Sequence, residues 1–160
     1  MRTGIKLAML AGLLTIAMTA LASTAGAAGP PLRTYRVTIE NLSDGQPLSP
    51  IVAATHNGGN VRLFRVGGLA SPGLEAIAEA GNEAMMAAHL AGSPYVTEVV
   101  DTGMPLTPNG TTVGTFTDSV TFEIEARPGD RFSFATMLIC TNDGFTGLSR
   151  AKLPSHGSRT

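Results

Sequence analysis

The chain has 160 residues, 14% of them charged and 43% hydrophobic, and 11 Lys and Arg stand against 12 Asp and Glu for a formal net charge of −1. Such a length is that of one domain, and so even a charge balance gives no reason to expect nucleic acid or another polyanion as a partner. Cys140 is the only cysteine, so an intrachain disulfide is excluded and the fold has to rest on its apolar core.

Arg2 and Lys6 precede an apolar run from Leu7 to Ala22, and Ala25-Gly26-Ala27 places small residues where signal peptidase reads them. This is the pattern of a secretory signal peptide over residues 1–27, with cleavage after Ala27 and Ala22 as the second choice. An uncleaved anchor is the alternative, but the run falls short of the roughly 20 apolar residues that span a bilayer comfortably. No later stretch is long enough to span. The mature chain is therefore expected to be secreted or periplasmic, without a membrane span.

After a Pro/Gly leader, Thr34 to Glu40 alternates Tyr35, Val37 and Ile39 with Arg36, Thr38 and Glu40, which predicts a strand with one wet face. Turn formers fill residues 41–50. Ile51 to Thr55 predicts a short strand, His56 to Asn60 a loop, and Val61 to Gly67 a further strand. Ser71 can cap a helix and Pro72 suits its first turn, so residues 72–90 read as helical, with Leu74, Ile77, Ala78, Met85 and Ala88 near one face and Gly81-Asn82 as a break point. Met85 and Ala88 are read as core contacts rather than a ligand groove.

Tyr95 to Val100 returns to strand character. Ser119 to Ala126 alternates Val120, Phe122 and Ile124 inward with Thr121, Glu123 and Glu125 outward. Arg127-Pro128-Gly129-Asp130 predicts a tight turn, and the uncharged run that follows Arg131 up to Cys140 predicts a central strand covered on both sides. If that turn closes a hairpin, Glu123 falls towards the same end as Asp143. The fold class these elements define is all-β, an antiparallel sandwich with one helical insertion around residues 72–90.

Catalytic motifs are scarce. His56, His89 and His156 lack the spacing of a metal-binding pair, and neither a Gly-x-Ser-x-Gly elbow nor a phosphate-cradling glycine loop is present. His56, before Asn57-Gly58-Gly59, reads as an exposed loop histidine, with a catalytic pairing to a distant Ser or Asp as the alternative. Cys140 reads as a buried, inert thiol. Asn142-Asp143-Gly144 is ordinary turn chemistry. The same Asp143 at a strand end could also join backbone carbonyls around calcium, which takes six to eight oxygens, given a second carboxylate such as Glu123 or Asp118.

Three stretches in this order, "YRVTIENLSDGQPLSPIVAATHN", "RLFRVGGLASPGLEAIAEAGN" and "ATMLICTNDGFTGL", resemble the spondin N-terminal domain family in its bacterial secreted form. The resemblance covers Tyr35 to about Leu153. It implies an eight-stranded antiparallel sandwich similar to C2 domains. It also implies a role in adhesion or recognition rather than catalysis, and a divalent cation, Ca2+, as the ligand in animal relatives of the F-spondin and mindin group. By position Asp143 matches the family's acidic residue after the long buried strand, and Glu123 matches an acidic position approximately. Gly144 stands where the family has an aromatic, with Phe145 one place later, and Ser149 stands where a further acidic residue is expected. Relatives continue with at least one more strand, so the domain over residues 33–160 is expected to be C-terminally incomplete and marginal in stability. The reading is a non-enzymatic binding or adhesion module, calcium-dependent through Asp143 and Glu123, whose partner is an extracellular or envelope protein or glycan. A ligand-free structural envelope protein and a hydrolase using His56 are the alternatives.

Overall fold

In the computed structural model, residues 31–160 are described; the predicted signal peptide over 1–27 lies outside them. The elements run β1 (Arg33–Glu40), β2 (Val52–His56), α1 (Pro72–Ala80), α2 (Ala84–Ala91), β3 (Val96–Asp101), β4 (Thr112–Val113), β5 (Phe116–Thr117), β6 (Ser119–Ala126), β7 (Arg131–Met137) and β8 (Phe145–Lys152). A four-stranded sheet of order β3-β2-β7-β8 forms one layer, and a β1-β6 ribbon lies over one of its faces. Both are antiparallel, as is the short β4-β5 hairpin. The all-β sandwich with a helical insertion is what the sequence predicts.

Alternation on each strand sends side chains to two separate cores. Ala53 on β2 and Phe132 on β7 join Ile39 and Ile124 of the ribbon in one cluster. Val52, Ala54 and Ala135 point the other way and meet Leu74, Ile77, Met86 and Leu90 of the two helices. The central sheet is therefore apolar on both faces. That is why β7, between β2 and β8, reads as an almost unbroken apolar run.

The helical segment does split at Gly81. Ser71 caps α1 by accepting the Leu74 N–H at 3.3 Å, and Pro72 opens the first turn. Gly81 takes φ 62°, while its N–H bonds Ile77 O and the Asn82 N–H bonds Ala76 O, a Schellman ending. The reversal rotates the apolar face of α2. Met86 and Leu90 are buried there, and the predicted Met85 and Ala88 are exposed.

Two further expectations are corrected. Residues 61–67 form a looped segment rather than a strand: Val61 and Leu63 are buried, but Arg65 closes a turn to Gly68 and Val66 is fully outside. Beside β8 the segment makes side-chain contacts instead of a backbone ladder: Phe64 packs on Phe145, and the Ser149 hydroxyl donates to Phe64 O at 3.3 Å. Secondly, β6 and β7 do not make a hairpin. The turn at 127–130 carries the chain from the ribbon to the other layer, where β6 pairs with β1 and β7 with β2 and β8.

Candidate functional site

Three loops meet at one rim of the sandwich. Leu48 bridges both Leu106 and Leu138, with Leu48 N to Leu106 O and Leu106 N to Leu48 O each at 2.9 Å. Ser49 N bonds Met137 O at 3.1 Å, and Ile139 N bonds Pro47 O at 3.0 Å. Asn41, buried where β1 ends, ties the loops further: its Nδ2 donates to Gln46 O at 2.7 Å and to Thr107 O at 2.9 Å, and its Oδ1 accepts from the Ser43 backbone and hydroxyl. An asparagine at the head of a turn-rich stretch is the one sequence signal for this role, and turn chemistry alone does not distinguish it. The result is a rim with fixed backbone that still exposes Leu42 (71%), Met104 (47%) and Ile139 (42%).

Asp143 sits in this rim, in the connection from β7 to β8. Thr141 organises that turn: its hydroxyl donates to Leu138 O at 2.7 Å and accepts the Gly144 N–H at 2.9 Å, and Leu138 N bonds Gly144 O at 2.9 Å. A Cβ on residue 144 would collide with the Thr141 side chain, so the glycine is required by close approach. The Asp143 carboxylate is exposed and takes no part in the turn's hydrogen bonds.

Glu123 stands in the ribbon, opposite Arg36, with Oε1 3.4 Å from the Arg36 Nη2 and both side chains mostly exposed. Without the predicted hairpin, the chain does not bring Glu123 alongside β7. Asp118 Oδ2 accepts the Gly110 N–H at 2.8 Å. Among the described residues no group of three or more His, Cys, Asp and Glu side chains is close enough to hold a metal ion.

His56 is corrected from exposed loop to buried strand end. It closes β2 with no solvent exposure, and its Nε2 lies 2.9 Å from the equally buried Ser133 Oγ. Nδ1 lies 3.3 Å from the carbonyl of Asn57, which can only accept, so Nδ1 holds the proton and Nε2 accepts from the serine hydroxyl. Ser133 Oγ in turn accepts the Arg150 N–H at 2.8 Å. The pair resembles a nucleophile with its base, yet no substrate carbonyl can reach a serine with zero exposure, and the third group is a backbone carbonyl rather than a carboxylate. Asp130 is engaged instead with the Thr97 hydroxyl at 2.6 Å and the Arg127 N–H at 2.8 Å. Burial pushes the His56 imidazole below its usual range, and Arg150 adds to this against the Asn57 carbonyl and Asp130.

Cys140 is also corrected. Strand β7 ends at Met137, a single bridge from Leu138 to Leu48 follows, and the thiol two residues further on is exposed.

The Spondin_N family model matches residues 41–159, which span the rim, both cores and β8. The chain belongs to the Spondin_N family. No curated protein matches it significantly. No helix among the described residues is long and apolar enough to cross a membrane.

Proposed function

We propose that this Spondin_N domain is an exported, non-enzymatic binding or adhesion module whose rim engages an extracellular or envelope protein or glycan. The observation that supports this is the cross-linked trio of loops: a backbone held at Leu48 and Asn41 displays Leu42, Met104 and Ile139 to solvent. Exposed apolar side chains on a fixed backbone can be buried by a partner at little ordering cost. Retention of the exported chain on envelope preparations tests this. Replacing Leu42, Met104 and Ile139 together by Ser should abolish retention. Equal retention would remove the rim from the reading, and a wild type that is not retained would leave a structural protein without a ligand.

Ca2+ belongs to the same reading, with Asp143 as the rim carboxylate that backbone carbonyls and water would complete. A site with so few free carboxylates is a weak one, on the order of 10⁻⁴–10⁻³ M. Glu123, the second carboxylate expected from the sequence, stands beside Arg36 four residues along β6 from the rim end at Ser119, so it is not a partner of Asp143 in this fold. Calorimetric titration of Ca2+ into the full chain should give heat that Asp143→Ala removes and Glu123→Gln leaves unchanged. No heat in the wild type removes the metal from the proposal and leaves the binding module to the retention experiment.

A further inference from the structure

We propose that the free edge of β1 is a strand-addition site, which takes an extended segment of a partner protein with alternating apolar and acidic residues. This surface is distinct from the rim.

The backbone phase of β1 is fixed by its pairing. Glu40 lies opposite Ser119, and one step further the Asn41 N–H bonds Asp118 O at 2.7 Å. In an antiparallel pair hydrogen-bonded positions alternate, so the odd-numbered residues of β1 turn their N–H and C=O groups towards β6. The close approach of the Thr38 and Thr121 hydroxyls, 2.8 Å apart, agrees: even positions are the non-bonded pairs, whose side chains lie nearer. Thr34, Arg36, Thr38 and Glu40 therefore direct their backbone groups away from β6, and among the described residues nothing bonds them. Four successive outward peptide groups form a template for another strand.

The space beside that edge is a trough of about 720 Å³ running along β1 from Arg33 to Ile39. Its floor is apolar, from Phe132, Phe134 and Leu148 of the neighbouring layer, because the two-stranded ribbon leaves the β7-β8 side of the sheet less covered than the β2-β3 side. A strand paired with β1 would set alternate side chains on this floor and the others in solvent. Of the charged side chains that line the trough, Arg36 is paired with Glu123, while Arg33, Lys152 and Arg159 have no carboxylate partner among the described residues; Glu40 lies beyond the trough at the far end of the edge. Acidic side chains on the incoming strand therefore meet complementary charge, and basic ones are repelled. The C-terminal tail, residues 153–160, forms a wall of the trough and is tied to β1 by side chains, without a backbone bond to its edge: Arg33 Nη1 donates to Ser155 O at 3.1 Å and the Tyr35 hydroxyl to Pro154 O at 3.2 Å.

The probe is a fluorescent eight-residue peptide alternating Val with Glu, compared with its Val-Lys counterpart, titrated into the full chain. The Glu peptide should bind at least tenfold more tightly, and binding should slow amide exchange at Thr34, Arg36, Thr38 and Glu40. Thr38→Pro removes an outward N–H and leaves the bonds to β6, which odd positions make, so it should weaken binding at least tenfold without loss of the circular dichroism spectrum. Leu148→Asp, in the floor, should do the same. The proposal is overturned by no binding, by equal binding of both peptides, by binding that survives both folded variants, or by protection confined to other amides. Peptide-free dimers that protect the β1 edge would assign it to a second copy and overturn it equally.

Discussion

The Nε2 of His56, at the end of β2, lies 2.9 Å from the Oγ of Ser133 on β7, and neither side chain is exposed. This hydrogen bond links two neighbouring strands from inside the sheet. Through the Arg150 N–H it also reaches β8, where Ser133 faces two residues, Ser149 and Arg150, in place of one. Arg150 has φ 61°, so the serine hydroxyl helps to hold a left-handed bulge that an arginine adopts at a cost.

His56 makes stability depend on pH. Its folded-state value lies below the ordinary imidazole value of about 6.5, so the unfolded chain takes up the proton first as pH falls. The stability that depends on neutral His56 is fully present above about pH 6.5 and is lost as pH falls from there through the folded-state value. Urea midpoints between pH 7.5 and 5.0 should drop for the wild type and drop less for His56→Gln. Parallel curves would show that the histidine does not contribute.

Ser133→Ala should destabilise the domain more than a typical hydroxyl deletion. It leaves both the His56 Nε2 and the Arg150 N–H without a partner in a buried place, and each unsatisfied group costs about 1–3 kcal/mol. Denaturant unfolding with an unchanged slope would measure it. A cost under about 0.5 kcal/mol would mean that the pair does not support the bulge.

Gly147 lies in β8 opposite Ala135, under the edge of Phe64, which packs on Phe145 with ring centroids 5.2 Å apart. A Cβ there would meet Phe64 Cε1 at 3.0 Å and the Ala135 Cα at 3.1 Å, as well as the Phe134 carbonyl. Gly147→Ala should cost about 1–3 kcal/mol by overpacking. A thermal melt unchanged from the wild type would contradict this placement.

The looped segment after Asn60 has one inward anchor and one outward tip. Leu63→Ala should cost about 2–5 kcal/mol, because Leu63 is 2% exposed in the helix-side core. Val66→Ser should stay within about 0.5 kcal/mol, because Val66 is 93% exposed. Equal costs would contradict the placement of Leu63 in the core and Val66 in solvent.

Much of the fold was legible in the sequence because alternation reports a strand's two environments directly. Tyr35, Val37 and Ile39 face the core of the sandwich and Arg36, Thr38 and Glu40 do not; Ile124 is buried between exposed Glu123 and Glu125. Ser71, Pro72 and Gly81 marked the helix and its break because capping is local. The site was less legible. His56 stands just before Asn57-Gly58-Gly59, as a loop residue would, yet β2 runs on to it because it pairs with Arg131 of β7 in regular register and with Val96 of β3 past an extra β3 residue, Thr97. Cys140 continues an apolar run in sequence, but the strand partner ends at Met137. The short β4-β5 hairpin, among Gly and Thr residues, carries no periodic signal to read.

The amino-acid order by itself determined the alternation of β1 and β6, the cap and break of the helical segment and the turn at 127–130, because each depends on residues within a few positions of one another. Tertiary structure alone decided which strands share a sheet. The turn at 127–130 suits a hairpin and a crossover equally well, and only the burial of Phe132 and Ala135 on opposite faces, against the ribbon and the helices, selects the crossover. That choice sets Glu123 beside Arg36, Asp143 on the rim and the outward peptide groups of β1 along an open trough.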